Sequence, residues 1–336
     1  MIGNMASLQH IAVTGANGHL GNVICRTLLG QGFSVSAFCY SDNKALKGLA
    51  MKRVQGNVLN QNDLETLLRD CDAVIHCAAL ISLNGDPTGI VYKTNTEGAR
   101  NVAEVAKRLG LKKMIHISSV HAVVEKPFDE KFDETRQYKT ESSHIYDYSK
   151  ALGEQMVFET LKDSNTQLVV IRPSSILGPF DFKPSEIGKA MLILYRGKLP
   201  FISAGGYDFV DVRDVATSIV VALEKGRNGE IYHLTGHYCT LKEFVHIVKK
   251  ITRKKTPTVV LPFWLLKIMI PLLRIQSNFM RMTPIFTHEM LDTLRNGHPN
   301  MSSDKAQKEL AYQCRPLEES IADFYAWQKS SKGDNS

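Results

Sequence analysis

The 336-residue chain has no apolar run long enough to cross a bilayer as a helix. Its greasiest stretch, LPFWLLKIMIPLLRI (261–275), is broken by Lys267, Pro271 and Arg274. Such a segment reads as a helix packed on the domain, as cover for an apolar pocket, or as an amphipathic piece touching a membrane peripherally. Cysteine is sparse: Cys25, Cys39, Cys71, Cys77, Cys239 and Cys314 show no C-x-x-C and no metal-ligand spacing. That excludes a zinc site and points to a reduced, cytoplasmic protein. The start, MIGNMASLQH, has neither a basic stretch nor an apolar core, so no secretory signal is expected. Neither sign of charge is concentrated. The 41 Lys and Arg exceed the 34 Asp and Glu to give +7, but they are scattered, with short clusters at Lys112–Lys113 and Arg253–Lys255. A nucleic-acid binder gathers such charge on one stripe, so nucleic acid is not expected as a partner and the excess reads as a solvated surface that attracts anionic cofactors. Hydrophobic residues at 43% and charged residues at 22% exclude disordered and fibrous classes.

What is present is an alternation. HIAVTG (10–15), SVSAFCY (34–40), AVIHCAA (73–79), KMIHISS (113–119) and QLVVIRP (167–173) read as strands, with helical patterns near 19–30, 94–109 and 144–161. Buried runs alternating with helices predict an α/β fold built on a doubly wound parallel sheet. DFVDVRDVATSIVVALEK (208–225) and EIYHLTG (230–236) read as a further helix and strand of the same unit. The expected organisation is therefore a dinucleotide-binding unit, 7–177 plus 208–236, interleaved with a smaller substrate-binding region, 178–207 plus 237–328. The termini, 1–6 and 329–336, are expected to be disordered.

The first strand runs into TGANGHLG. Gly15 suits the sharp turn, Gly18 a close approach of backbone to pyrophosphate, and Gly21 close packing of the following helix. Asn17, His19 and Leu20 complete the cradle, and the helix N-terminus offers N–H donors to phosphate. The spacing is G-x-x-G-x-x-G rather than the common Rossmann G-x-G-x-x-G, but its place between a strand and a helix points to a nucleotide. After the second strand come Tyr40, Ser41, Asp42, Asn43 and Lys44. The two hydroxyls and the ammonium favour the 2′-phosphate of NADP over NAD, with Asp42 opposing.

In SHIYDYSK (143–150), Tyr146 precedes Lys150 by four residues and shares its helix face, whereas Tyr148 does not. A phenol titrates near 10, and a nearby ammonium favours the phenolate, so the pair suits acid/base work. A surface pair has the same spacing. KMIHISS, ending in two serines at the C-terminal end of a strand, gives the pair company where such sheets bind ligands.

TGANGHLG, CDAVIHCAA (71–79), NTEGARNV (95–102), SSV (118–120), YDYSK (146–150), IRPSSILGP (171–179) and VDVRDVA (210–216) occur in that order. Together they resemble an extended short-chain dehydrogenase/reductase of the NAD-dependent epimerase/dehydratase superfamily, with the flavour of dihydroflavonol-4-reductases and 3β-hydroxysteroid dehydrogenases. The resemblance implies a Rossmann fold, an NAD(P) cofactor and a homodimer. It implies Tyr146 as acid/base, Lys150 lowering its pKa and holding the nicotinamide ribose, Ser119 bonding the substrate oxygen, and Asn95 ordering the site. Ala78 and Ala79 would line the cofactor, and Pro173 would lie near the nicotinamide. Gly56-Asn57 stands where the family often has Gly-Asp, which leaves the adenine contact to Asn57 and Val58. His121 falls where many relatives are small or apolar and is a substrate-facing candidate. No metal is implied.

Many sugar-nucleotide epimerases and dehydratases carry an asparagine where this chain has Ser175. With Phe263, Trp264, Leu265, Leu266, Met269, Phe279, Met280, Met282 and Phe286 nearby in sequence, this favours an alcohol/ketone oxidoreductase acting on an apolar or small carbonyl substrate. A sugar-nucleotide epimerase/dehydratase is the alternative, and a non-catalytic NAD(P)-binding regulator is the alternative of another class.

Overall fold

The computed structural model describes residues 8–41, 44–83, 85–197, 199–279 and 287–333. Strands run β1 His10–Thr14, β2 Ser34–Cys39, β3 Lys52–Gln55, β4 Ala73–His76, β5 Lys113–Ile117, β6 Gln167–Pro173, β7 Ser175–Leu177, β8 Ile202–Ser203, β9 Gly206–Asp211, β10 Glu230–Leu234, β11 His237–Thr240 and β12 Val260–Leu261. Helices run α1 His19–Gly30, α2 Gln61–Leu68, α3 Ile90–Asn95, α4 Glu97–Leu109, α5 Ile145–Leu161, α6 Glu186–Tyr195, α7 Val212–Lys225, α8 Leu241–Thr252, α9 Phe263–Phe279, α10 His288–Arg295, α11 Asp304–Leu310 and α12 Leu317–Gly333.

Seven parallel strands form the central sheet in the order β10-β6-β5-β4-β1-β2-β3. Successive side chains leave a strand on opposite faces, and here both faces are covered. Ile11, Val13, Ile75 and Ile115 pack on one side with Ile24 of α1 and Ile219 of α7. Ala12, Val74 and Met114 pack on the other with Val102 of α4 and Val157 of α5. The strand order reverses between β1 and β4, which opens a crevice at their C-terminal ends.

Beyond this sheet lie a three-stranded sheet, β11-β9-β7, and the pair β12-β8. Their core joins Phe209, Phe244, Val248, Ile321 and Phe324 across β9, α8 and α12.

Local chemistry explains where elements depart from the sequence expectation. β3 carries exposed Lys52, Arg53 and Gln55 at the sheet edge, so its apolar signal is weak. The helix expected over 94–109 is α3 and α4, separated at Thr96. The stretch 208–225 opens as strand, and α7 starts only after Asp211, whose carboxylate accepts the Arg213 N–H at 2.8 Å. α12 continues to Gly333, into the tail expected to be disordered, while the expected N-terminal disordered segment lies outside the described residues.

Candidate active site

At the end of β1, Gly15 adopts φ +65°, and a Cβ there would lie 2.8 Å from the Ala78 backbone. A Cβ on Gly21 would lie 2.2 Å from the Gly15 carbonyl oxygen. The glycines thus let the β1 turn, the loop after β4 and the start of α1 touch with no side chain between them. Gly18 caps α1 without a side-chain hydrogen bond, and no acid occupies the first turn, which suits an anion. The Asn17 amide donates to the Ser41 carbonyl, tying this loop to the end of β2. His19 bonds the Pro179 carbonyl at 3.0 Å, and Leu20 packs on the core beneath. This cradle fits a dinucleotide.

Around the expected adenosine end the candidates differ. Tyr40 is 75% exposed and Ser41 and Lys44 are exposed, all on the rim. Asn57 uses its side-chain oxygen to accept the Leu59 N–H at 3.0 Å, and buried Val58 sits against Gly98. Asp42 and Asn43 lie outside the described residues.

Deeper in, α5 brings the catalytic candidates together. Gly153 lets this helix press on α3, since a Cβ there would lie 2.1 Å from the Asn95 carbonyl oxygen. Asn95 is buried; it accepts from Leu80 N at 2.8 Å and donates to Leu80 O and to Ser149 Oγ, both at 2.9 Å. Ser149 Oγ in turn donates to the Tyr146 carbonyl at 2.7 Å. One asparagine therefore locks the loop after β4, which carries Ala78 and Ala79, to the helix carrying Tyr146.

The Tyr146 phenol lies beside the Ser119 side chain at the end of β5, and Ser119 Oγ accepts His121 N–H at 3.1 Å. Burial pushes the phenol up to about 12, with the neighbouring Ser119 hydroxyl pulling it back and Asp147 adding to the rise. Lys150, 4% exposed, donates to the Ile117 carbonyl at 2.6 Å, and burial pulls its ammonium down to about 8. Beneath the pair lie His76 and His116, stacked at 5.5 Å. Burial pushes His76 down to about 3 and His116 well below its usual range, so both are neutral. Tyr148 faces away and pairs with the Tyr92 ring at 6.2 Å.

Pro173 is buried at the end of β6. His121 and Ser175 line one small cavity together with Phe132, Tyr207, Asn296 and Met301, so elements far apart in sequence close over the strand ends. The rim beside Asn95 is apolar, with Leu80, Ile81 and Ile90 at 39%, 64% and 43% exposed. His121 also approaches the carboxylates of Glu125 and Asp147 in a cluster of metal-ligand geometry. Lys139 already fills the cationic place there, reaching Glu125 at 2.5 Å and Asp147 at 2.6 Å.

Two supporting residues escape the sequence reading. Glu154, one turn beyond Lys150, is fully buried and holds Arg172 at 2.6 and 3.0 Å. Tyr138 donates to the same carboxylate at 2.8 Å. The signal was available, since Glu154 continues the Tyr146–Lys150 face by four residues.

A family model for the NAD-dependent epimerase/dehydratase family matches residues 11–235. The chain belongs to that family. Sterol demethylase protein B of Methylococcus capsulatus is 30% identical over 94% of this chain and 97% of its own length. A putative dihydroflavonol 4-reductase of Synechocystis is 28% identical over 94% and 93%, and a bovine sterol-4-alpha-carboxylate 3-dehydrogenase, decarboxylating, is 28% identical over 92% and 88%. Among solved structures, gox2253 superposes with a TM-score of 0.83 at 30% identity, covering 96% of this chain and 98% of that one. UDP-glucose 4-epimerase of Thermotoga maritima reaches 0.76 at 20% identity over 96% and 100%, a likeness of fold alone. This member of the epimerase/dehydratase family is thus an NAD(P)-dependent oxidoreductase whose relatives carry the names of dehydrogenases and reductases. No helix among the described residues is long and apolar enough to cross a membrane.

Proposed function

We propose that the chain interconverts a secondary alcohol and a ketone on an apolar substrate, with Tyr146 as the acid/base. The observation that carries this is the proximity of the buried Tyr146 phenol to Ser119 at a strand end, with Asn95 tying the phenol's helix to the loop that meets the glycine cradle. A nicotinamide dinucleotide held by that cradle would supply or accept the hydride. The protein's part is to hold the reacting oxygen and move its proton. Ser119 donates to the carbonyl oxygen, and Tyr146, protonated at neutral pH because burial raises it, gives up its proton as the alcohol forms. Lys150, fixed on the Ile117 carbonyl, presents a positive charge at the crevice floor, where it would hold the cofactor ribose. Asn95 and Ser149 hold the phenol's helix in place. The residues Tyr40, Ser41 and Lys44 favour NADP over NAD.

The apolar rim of Leu80, Ile81 and Ile90 supports a hydrophobic ring system as substrate, and the names of the two sterol relatives agree with it. The test is reduction of 3-ketosteroids and small cyclic ketones by wild type and by Tyr146→Phe, followed by dinucleotide absorbance. The variant is expected to lose about 10²–10⁴-fold in turnover while binding the dinucleotide as before. Unchanged turnover would remove Tyr146 from the chemistry.

A further inference from the structure

We propose that the protein docks on anionic lipid surfaces through the outer face of α9 and the basic segment just before it. The inner face of α9 is accounted for: Leu266 and Ile270 are buried with Leu291, and Phe201, Phe263 and Met290 pack around them. The outer face is not. Trp264 and Ile268, one turn apart, are each 65% exposed, and Pro271 continues the exposed stripe a turn later. Val259 and Val260, at 53% and 39% exposed, add to it from the strand that leads into the helix. Large apolar side chains gathered in this way mark a contact surface.

Charge says what the contact is. Lys249, Lys250, Arg253, Lys254 and Lys255 place five positive charges within seven residues, all exposed, and none makes an ion pair among the described residues. From Phe244 to His288 the chain contains eight Lys or Arg and no Asp or Glu. A basic run shortly before an amphipathic helix with a tryptophan in its first turn fits the boundary between anionic headgroups and acyl chains, where the cations meet phosphate and the apolar stripe enters the membrane. Nucleic acid would use the charge but leave the Trp264–Ile268 stripe without a partner. Spanning is ruled out for α9, because Pro271 lies inside the helix and Lys267 is ion-paired to Asp292 at 2.9 Å.

The docking face lies near the crevice. α9 packs on α10, whose Glu289 and Asp292 approach His144 at 3.9 and 3.6 Å, and His144 caps the helix that carries Tyr146. Docking itself stands independently of the substrate reading.

The test is flotation of the full chain with vesicles of phosphatidylcholine alone and of phosphatidylcholine mixed with phosphatidylglycerol. Wild type should float with the anionic vesicles at low salt, lose them at high salt, and ignore the neutral ones. Lys254→Glu/Lys255→Glu and, separately, Trp264→Ser/Ile268→Ser should each lower the bound fraction about tenfold or more. Their unfolding midpoints and their turnover of a water-soluble ketone should match wild type. Three results overturn the proposal: wild type that floats with neither vesicle, a Trp264→Ser/Ile268→Ser variant that floats like wild type, or binding to a soluble polyanion with none to vesicles.

Discussion

The crevice around Tyr146 and the surface around Trp264 are built on opposite principles. In the first, polar partners fix the key groups: Asn95 spans Leu80 and Ser149, Lys150 sits on Ile117, and Arg172 is gripped by Glu154. In the second, order comes from apolar contact. Phe209 stacks on Phe244 at 4.8 Å, Leu266 and Ile270 seat α9, and a basic segment nearby has no ion-pair partner among the described residues. Chemistry that moves a proton needs atoms fixed in place, and buried hydrogen bonds do this because leaving one unmade is costly. A surface that receives apolar matter needs area and charge, and tolerates variation in shape.

The sharpest way to break this contrast is to disturb each region by a modest chemical change. Glu154→Gln leaves the Arg172 guanidinium buried at 1% exposure without its counter-charge and should cost about 3–5 kcal/mol. Phe244→Leu, which roughly conserves volume in the second core, should cost less than about 1.5 kcal/mol. Urea unfolding of the two variants checks both values, and equal losses would erase the distinction.

A smaller effect should come from pH. Burial lowers the Lys150 ammonium from its ordinary 10.5 to about 8 in the folded state, so between those values the unfolded chain binds more protons. Stability should therefore rise with pH from about 8 to 10.5, and this contribution should be lost as pH falls through 8. Lys150→Met should flatten that part of the unfolding profile relative to wild type, while the same substitution at exposed Lys250 should leave it unchanged. The smallest effect belongs to the rim. Lys44→Ala should weaken NADPH by several-fold, in the range of about 1 kcal/mol for an exposed charge, and leave NADH unaltered in a titration of both dinucleotides.

The glycine turn, the Tyr146–Lys150 face and the strand-end serines were legible because each depends on local spacing. Gly18 and Gly21 meet the Gly15 carbonyl a few residues away, and a four-residue step on α5 is one helical turn. β3 was not legible, because an edge strand needs no apolar alternation to pair. The split at Thr96 and the strand before α7 were missed because backbone geometry and the Asp211 cap decide them.

By itself, then, the order of residues determined a parallel sheet, a phosphate-binding turn and a phenol one helical turn from an ammonium, because these follow from periodicities of a few residues. Only the folded chain decided that burial raises the Tyr146 phenol, and that Glu154 reaches Arg172. It also decided that α9 turns Leu266 inward and Trp264 outward. Desolvation and contact depend on everything that packs around a side chain, and those neighbours come from other elements, beyond the reach of any local periodicity.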